Sequence, residues 1–345
     1  MTPASSAAPA AAIFGMSGLA LTDAERAFFA RVRPVGYILF ARNVGDPVQV
    51  RALVADLRAL VPGHDPLVLI DQEGGRVQRL KPPHWRAAPP MAPFGALYAR
   101  DPDTAREAVR LDLQLIGQEL LDLGIDVDCA PVMDVPVAGA HDIIGDRAFA
   151  HDPQVVAELA IAACDGLIDA GVVPVIKHIP GHGRARSDSH LELPVVDSDL
   201  AALRASDFVP FAAFAKSGRR AFGMTAHVVY SAIDPDRPAT NSNRVIDMIR
   251  NEIGFTGLLM SDDLGMKALS GPYDERAGAA IAAGCDVALH CDGNLADMEA
   301  VARGIGTLGA NGQRALAGVA SIRRKPRSTA GEAQLAQIST ALVNV

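Results

Sequence analysis

Residues 172–178 read Val-Val-Pro-Val-Ile-Lys-His, an apolar run that passes directly into two ionisable side chains. The run 172–176 has the texture of a buried strand. Polar density placed directly after it is costly as mere structure, because each buried polar group needs a partner. The same transition recurs along the chain. Leu67–Ile70 runs into Asp71-Gln72-Glu73, residues 257–260 into Ser261-Asp262-Asp263, and residues 286–289 into His290-Cys291-Asp292. The runs 125–129 and 221–224 are followed by Asp134 and His227. Between these runs lie segments with helical spacing of apolar residues, at 48–61, 104–123, 153–170 and 199–217. Thr22 with Glu25 forms a capping-box pattern, and Asp101, Asp152 and Ser198 stand where helix N-caps are expected.

Strand and helix alternating about eight times with short links predict a parallel sheet with crossover helices. An open doubly wound sheet collects its ligand groups at one crevice, whereas a closed barrel collects them from many strands around one rim. Ionisable residues end almost every run here, so the expected fold is α/β, a (β/α)8 TIM-type barrel. A single domain is expected over residues 13–345. Residues 1–12, rich in Ala, Pro and Ser, are read as disordered, and the tail after Lys325 as a surface segment.

Of the 345 residues 49% are hydrophobic, enough for a large core. A net charge of −8 argues against a nucleic-acid groove, which needs a basic face. No stretch approaches the ~18 apolar residues of a membrane span, and the N-terminus lacks the basic segment of a signal peptide. The four cysteines show no CxxC spacing, which suits a reducing compartment. These features together predict a cytoplasmic protein with no nucleic-acid partner and no membrane partner; a monomer without a cofactor is the accompanying expectation.

The residues that can carry chemistry fall into five groups. Asp71 at a strand tip can accept paired hydrogen bonds from vicinal hydroxyls, and Arg79 can fork onto an oxygen ligand; the bland alternative is an Asp–Arg pair ordering a turn. Arg147, in the loop Gly145–Phe149, either reaches a ligand or pairs with Asp142 or Asp146 at the surface. Lys177 and His178 offer donors suited to an acceptor-rich ligand such as a sugar. In Asp188-Ser189-His190, residues i and i+2 of an extended loop share a side, so Asp188 can hold the His190 imidazole and make it a proton shuttle. Of Asp262 and Asp263, strand alternation brings only one to the barrel mouth, as nucleophile or charge stabiliser, and the residues alone leave that choice open.

Two enzyme classes fit. In a glycosidase, Asp262 or Asp263 attacks the anomeric carbon and a proton donor serves the leaving oxygen, although most such enzymes use two carboxylates. In a metal-dependent barrel hydrolase, His178, His182, His190, Asp188 and Asp262 hold a divalent cation and an activated water, but no HxH pair stands near the first strand. A sugar-binding barrel without catalysis is a third option. Sensitivity to chelators separates the metal enzyme from the others.

The segments Asp71–Arg79, Gly145–Phe149, Lys177–His190 and Ser261–Met266, in this order and spacing, resemble glycoside hydrolase family 3. The resemblance is to the bacterial single-domain β-N-acetylhexosaminidases of peptidoglycan recycling, and it spans residues 15–304. It implies a (β/α)8 barrel and retaining exo-hydrolysis of terminal β-linked N-acetylglucosamine from muropeptides through a covalent glycosyl-enzyme. It places the nucleophile at Asp262, the acid/base at His190 with Asp188 as its partner, and sugar contacts at Asp71, Arg79, Arg147, Lys177 and His178. It implies no metal. Many members carry a second domain that supplies a carboxylate acid/base; in this chain the 188–190 loop stands in its place, with Pro180–Gly183 as the expected hinge. Ile179 departs from the aromatic frequent in the family. A neutral histidine does not repel an anion as a carboxylate would, so phosphate can compete with water for the glycosyl-enzyme.

Overall fold

The computed structural model of the protein describes residues 8–189, 191–323 and 329–343. Eight strands close a barrel: β1 (Ala10–Phe14), β2 (Pro34–Leu39), β3 (Leu67–Ile70), β4 (Val127–Asp128), β5 (Val173–Ile179), β6 (Phe222–Thr225), β7 (Leu259–Asp263) and β8 (Val287–His290). Each strand lies beside its sequence neighbour, all pairs are parallel, and β8 closes onto β1 with Ile13 opposite Leu289. Alternation along the strands sorts side chains into two cores. Ile13, Leu67, Leu69, Val175, Met260 and Leu289 fill the barrel interior. Phe14, Val68, Ile70 and Ile176 face outward onto the helices. Strands buried on both faces are why the runs are almost continuously apolar.

The helices follow the strands. Early ones are α1 (Asp23–Val32), α2 (Pro47–Ala59), α3 (Ala92–Tyr98), α4 (Pro102–Asp122) and α5 (Pro153–Ala170). After β5 come α6 (Leu200–Ala205) and α7 (Val209–Lys216), then α8 (Asn243–Asn251), α9 (Tyr273–Ala283) and α10 (Leu295–Gly304). The last two are α11 (Ala310–Val319) and α12 (Glu332–Leu342). Thr22 and Glu25 make the reciprocal capping box of α1, and Asp101 and Asp152 cap α4 and α5. No helix among the described residues is long and apolar enough to cross a membrane.

Four expectations need correction. Residues 10–12 are not disordered; they belong to β1, so the barrel begins before residue 13. Their alanines have little hydrophobic signal, yet small side chains suit the closing seam, where Ala12 meets Ala288. Residues 1–7 lie outside the described set. The cap after β5 is Asp199, one residue beyond Ser198. The segment 199–217 is two helices, because Pro210 starts α7 where its missing N–H costs nothing. The tail contains α12, which buries Ile338 and packs on α4.

At the N-terminal end of the barrel, Leu308, Val319 and Ile322 close the interior core. Arg323 pairs with Asp65 and Asp126, which stand just before β3 and β4. The opposite, C-terminal end is left open.

Candidate active site

Every described residue singled out by the sequence lies at that open end. A cavity of about 320 Å³ there is lined by Asp71, Arg79, Arg147, Lys177, His178 and Asp262, together with Glu73, His182, Ser189 and Asp263. His190 lies outside the described residues, and with it the expected Asp188–His190 pair. Asp188 itself sits in the loop after β5, its carbonyl accepting from the amides of Leu191 and Glu192.

One wall is a chain of ion pairs. Lys177 Nζ, at the end of β5, lies 2.9 Å from Asp71 Oδ1 and 2.6 Å from Glu73 Oε1. Arg79 Nη2 donates to Asp71 Oδ2 at 3.0 Å. Arg147 grips Glu73 with both ends of its fork, Nε to Oε2 at 2.8 Å and Nη2 to Oε1 at 2.7 Å. Burial pushes the carboxyls of Asp71 and Glu73 up, but the cations outweigh it. Asp71 is held far below the usual carboxylate range by Lys177 and Arg79, and Glu73 at about 2 by Arg147 and Lys177. Burial disfavours the Lys177 ammonium, yet Asp71 and Glu73 keep its pKa above the ordinary lysine value. Three cations against two carboxylates leave this wall with a net charge of +1. Arg79 Nε is buried without an acceptor, and the guanidinium lies 4.9 Å from the Phe40 ring centroid.

The structure therefore contains both readings of Asp71 and Arg79: they pair, and they also line the cavity. Arg147 does not pair with Asp142 or Asp146. Arg76 takes that surface role, binding Asp146 and the carbonyls of residues 142–144.

The second wall is built on Asp134, beyond β4. Its Oδ2 accepts from His178 Nδ1 at 2.7 Å, and its Oδ1 accepts the amides of His178 and His182 at 3.1 and 2.6 Å. Burial opposes its charge, but these partners hold it at about 2. With Nδ1 engaged by the carboxylate, Nε2 is the ring nitrogen left to meet a ligand. His182 packs edge-on at 5.6 Å from the His178 ring and meets Ser189 Oγ through Nε2 at 3.1 Å. Burial first, and then the His178 charge, lower its pKa to about 4.

Pro180–Gly183 is a fixed base rather than a hinge. Tyr230 donates its hydroxyl to the Gly181 carbonyl at 2.6 Å, and a Cβ on Gly183 would meet the Val135 carbonyl oxygen at 2.1 Å. Ala185 accepts the His141 amide at 2.8 Å, so the loop first leaves its anchors near Arg186.

Opposite these walls stand Asp262 and Asp263, and both border the cavity. Strict alternation would have left one outside; the register between β7 and β8 shifts between Met260 and Asp263, which breaks it. Their surroundings differ. Asp263 Oδ1 accepts the amides of Gly265 and Cys291, each at 3.0 Å, and the Asp263 carbonyl accepts from His227 Nε2. Burial raises its pKa. Asp262 Oδ1 accepts the Asp263 amide at 2.8 Å.

The glycosyl hydrolase family 3 N-terminal domain matches this chain over residues 15–323. The chain belongs to glycosyl hydrolase family 3. It is a glycoside hydrolase on a (β/α)8 barrel. The β-hexosaminidase of Alkalilimnicola ehrlichii is 45% identical over 286 residues, 81% of this chain and 80% of its own length. That of Xanthomonas euvesicatoria pv. vesicatoria is 41% identical over 82% of this chain and 84% of its own. NagZ from Neisseria gonorrhoeae, solved in complex with N-trifluoroacetyl-D-glucosamine, superposes with a TM-score of 0.84 at 29% identity, covering 97% of this chain and 98% of that one.

In this family 3 barrel the sequence reading passed over two residues with a clear structural part, Glu73 and Asp134. Glu73 had a signal available: it lies two residues after Asp71 in extended backbone, so both point the same way. Asp134 had only its position after a strand. His182, which the sequence offers only as a metal-ligand candidate, is buried between His178 and Ser189.

Glu73→Ala leaves Lys177 and Arg147 without their shared carboxylate. Removing one partner of a buried pair costs about 3–5 kcal/mol, so the denaturant midpoint should fall and KM should rise well before kcat changes. An unchanged KM would mean that Glu73 does not set the positions of the two cations. His182 gives a pH dependence. Its folded pKa lies below its unfolded value of about 6.5, so its contribution is complete above pH 6.5. That contribution is lost as pH falls from 6.5 toward 4. Asp207, pushed up to about 6 by burial against the pull of Arg184, acts in the opposite sense between 3.8 and 6. Comparing His182→Asn with the parent in chemical denaturation from pH 4 to 7 isolates the histidine, and the variant should show the shallower rise with pH.

Proposed function

We propose that this enzyme is a retaining exo-β-N-acetylhexosaminidase acting on muropeptides. In this reading it releases terminal β-linked N-acetylglucosamine from a 1,6-anhydro-N-acetylmuramic acid aglycone, with or without peptide. The observation that carries the reading is the division of labour in the cavity. A donor-rich wall of Arg79, Lys177, Arg147 and His178 faces a strand-end carboxylate, Asp262, whose neighbour Asp263 is committed to backbone amides. The volume of about 320 Å³ is at the small end of ligand pockets, in keeping with one terminal sugar residue. The printed names of the relatives, β-hexosaminidase and a NagZ holding an N-acylated glucosamine, support the same sugar.

The chemistry then runs in two steps. An Asp262 oxygen attacks the anomeric carbon as the glycosidic bond breaks, and His190, with Asp188 as its expected partner, gives its proton to the leaving oxygen. Water then attacks the same carbon, His190 takes its proton, and the Asp262–sugar bond breaks, so the β configuration is restored. Asp71 accepts from sugar hydroxyls while Arg79, Lys177, Arg147 and His178 fix the remaining oxygens.

Proton NMR of a β-linked N-acetylglucosaminide during turnover tests the reading. The β anomer should appear first, in chelator-treated enzyme as in untreated enzyme. The α anomer first, or activity wholly dependent on added metal, would sink the retaining, metal-free mechanism. In phosphate buffer, N-acetylglucosamine 1-phosphate in place of the free sugar would identify phosphate as the acceptor.

A further inference from the structure

Beside Asp263 a second group of ligand-type atoms converges. His290 ends β8, Asp292 follows two residues later, and Asp297 lies in the first turn of α10. One ring nitrogen and one oxygen from each carboxylate lie within 4.8 Å of one another. The backbone makes the convergence: Asn294 caps α10, and Asp292 Oδ1 accepts the Asn294 amide at 2.7 Å, so the chain turns back on itself between the two aspartates.

The histidine distinguishes this group from an ordinary acidic surface cluster. His290 is fully buried, wedged against the Tyr273 ring at 4.9 Å, yet neither ring nitrogen makes a hydrogen bond of acceptable geometry. Nε2 stands 3.0 Å from Asp292 Oδ1, close enough for an ion pair but off the hydrogen-bond direction. A buried imidazole without hydrogen bonds is uncommon and costly. Two carboxylates beside it add negative charge, and among the described residues neither Asp292 nor Asp297 is ion-paired to an arginine or lysine. Arg42 acts on Asp292 and Arg276 on Asp297 through charge, but both guanidiniums spend their hydrogen bonds elsewhere. Arg42 donates to the carbonyls of Met16 and Cys291, and Arg276 to those of Gly271 and Leu264.

We propose that His290 Nε2, Asp292 and Asp297 form a binding site for a divalent transition-metal ion of the zinc class, separate from the catalytic cavity. One imidazole and two carboxylates are borderline-to-hard donors of the kind such ions take, and three protein ligands leave room for water. A cation on Nε2 fixes the remaining ring proton on Nδ1, which faces Asp263 Oδ1 at 3.9 Å. At that distance the Asp263 carboxylate acts on the Nδ1 proton through its charge rather than through a hydrogen bond. The site would brace the rim between β7 and β8, one residue removed from Asp262. It does not depend on the proposed substrate.

Isothermal titration of Zn²⁺ into the chelator-treated full chain tests it. One equivalent should bind saturably and raise the thermal midpoint. Asp297→Asn and Asp292→Asn, both at solvent-reached positions, should each weaken binding by at least about tenfold, while Asp262→Asn should leave it unchanged. The proposal fails if no saturable binding is seen. It fails equally if binding survives both rim substitutions or disappears in Asp262→Asn, which would place the ion in the catalytic cavity.

Discussion

Asp262→Asn is expected to remove turnover on every glycoside tested, by ~10⁴-fold or more, with little change in folding stability. The magnitude follows from losing the group that forms the covalent bond, because nucleophile knockouts remove nearly the whole contribution of a catalytic set. The side chain keeps its shape, and asparagine Oδ1 can still accept the Asp263 amide that Asp262 Oδ1 accepts at 2.8 Å. Asp263→Asn is the matched control. Its oxygen would go on accepting the amides of Gly265 and Cys291, so the rim should hold and much of the activity remain. If Asp263→Asn were inactive and Asp262→Asn active, the two roles would have to be exchanged.

His190→Ala is expected to split substrates by leaving group. For a sugar or muropeptide leaving group, loss of the proton donor should cost about 10²–10⁴-fold in kcat/KM. For a nitrophenyl glycoside the leaving oxygen needs little protonation, and the loss in forming the glycosyl-enzyme should be much smaller. Deglycosylation still needs a base, so the intermediate should accumulate on such substrates and show as a burst. Equal losses on both substrate types would remove His190 from acid–base work. Asp188→Asn should reproduce a weaker version of the same pattern, since a partner that orients and stabilises an imidazolium acts only through it.

The barrel was legible because its strands are buried on both faces and end in polar groups: Ile70 into Asp71, Ile176 into Lys177 and Met260 into Ser261 needed no structure to interpret. The first strand was not legible. Ala10–Ala12 carry no β-branched or large apolar side chains, and their place in the wall comes from partners at residues 34 and 288 that lie far away in the chain. The break between α6 and α7 was visible in principle at Pro210, but the apolar spacing continues across it and hid the interruption.

At the site, the sequence supplied most of the cavity wall and missed what holds it in place. Asp71, Arg79, Arg147, Lys177 and His178 were marked by their residue types at strand ends or in the loops beyond them. Glu73 and Asp134 act by joining residues more than forty positions apart, through Arg147 and through His178. Nothing local announces such a partnership. The reverse error occurred at Pro180–Gly183, where glycine and proline suggested a hinge. The glycine at 183 is needed instead because the Val135 carbonyl lies where a Cβ would be.

The central claim is that Asp262 forms a covalent bond to an N-acetylhexosaminyl group. The most direct measurement is mass spectrometry of the intact protein, and then of its peptides, after incubation with a slow fluorinated N-acetylglucosaminide. The account predicts one added glycosyl group per chain, carried by the peptide containing Asp262 and lost on reactivation with an acceptor. No adduct despite ongoing turnover, or an adduct carried by Asp263 or another residue, would contradict it.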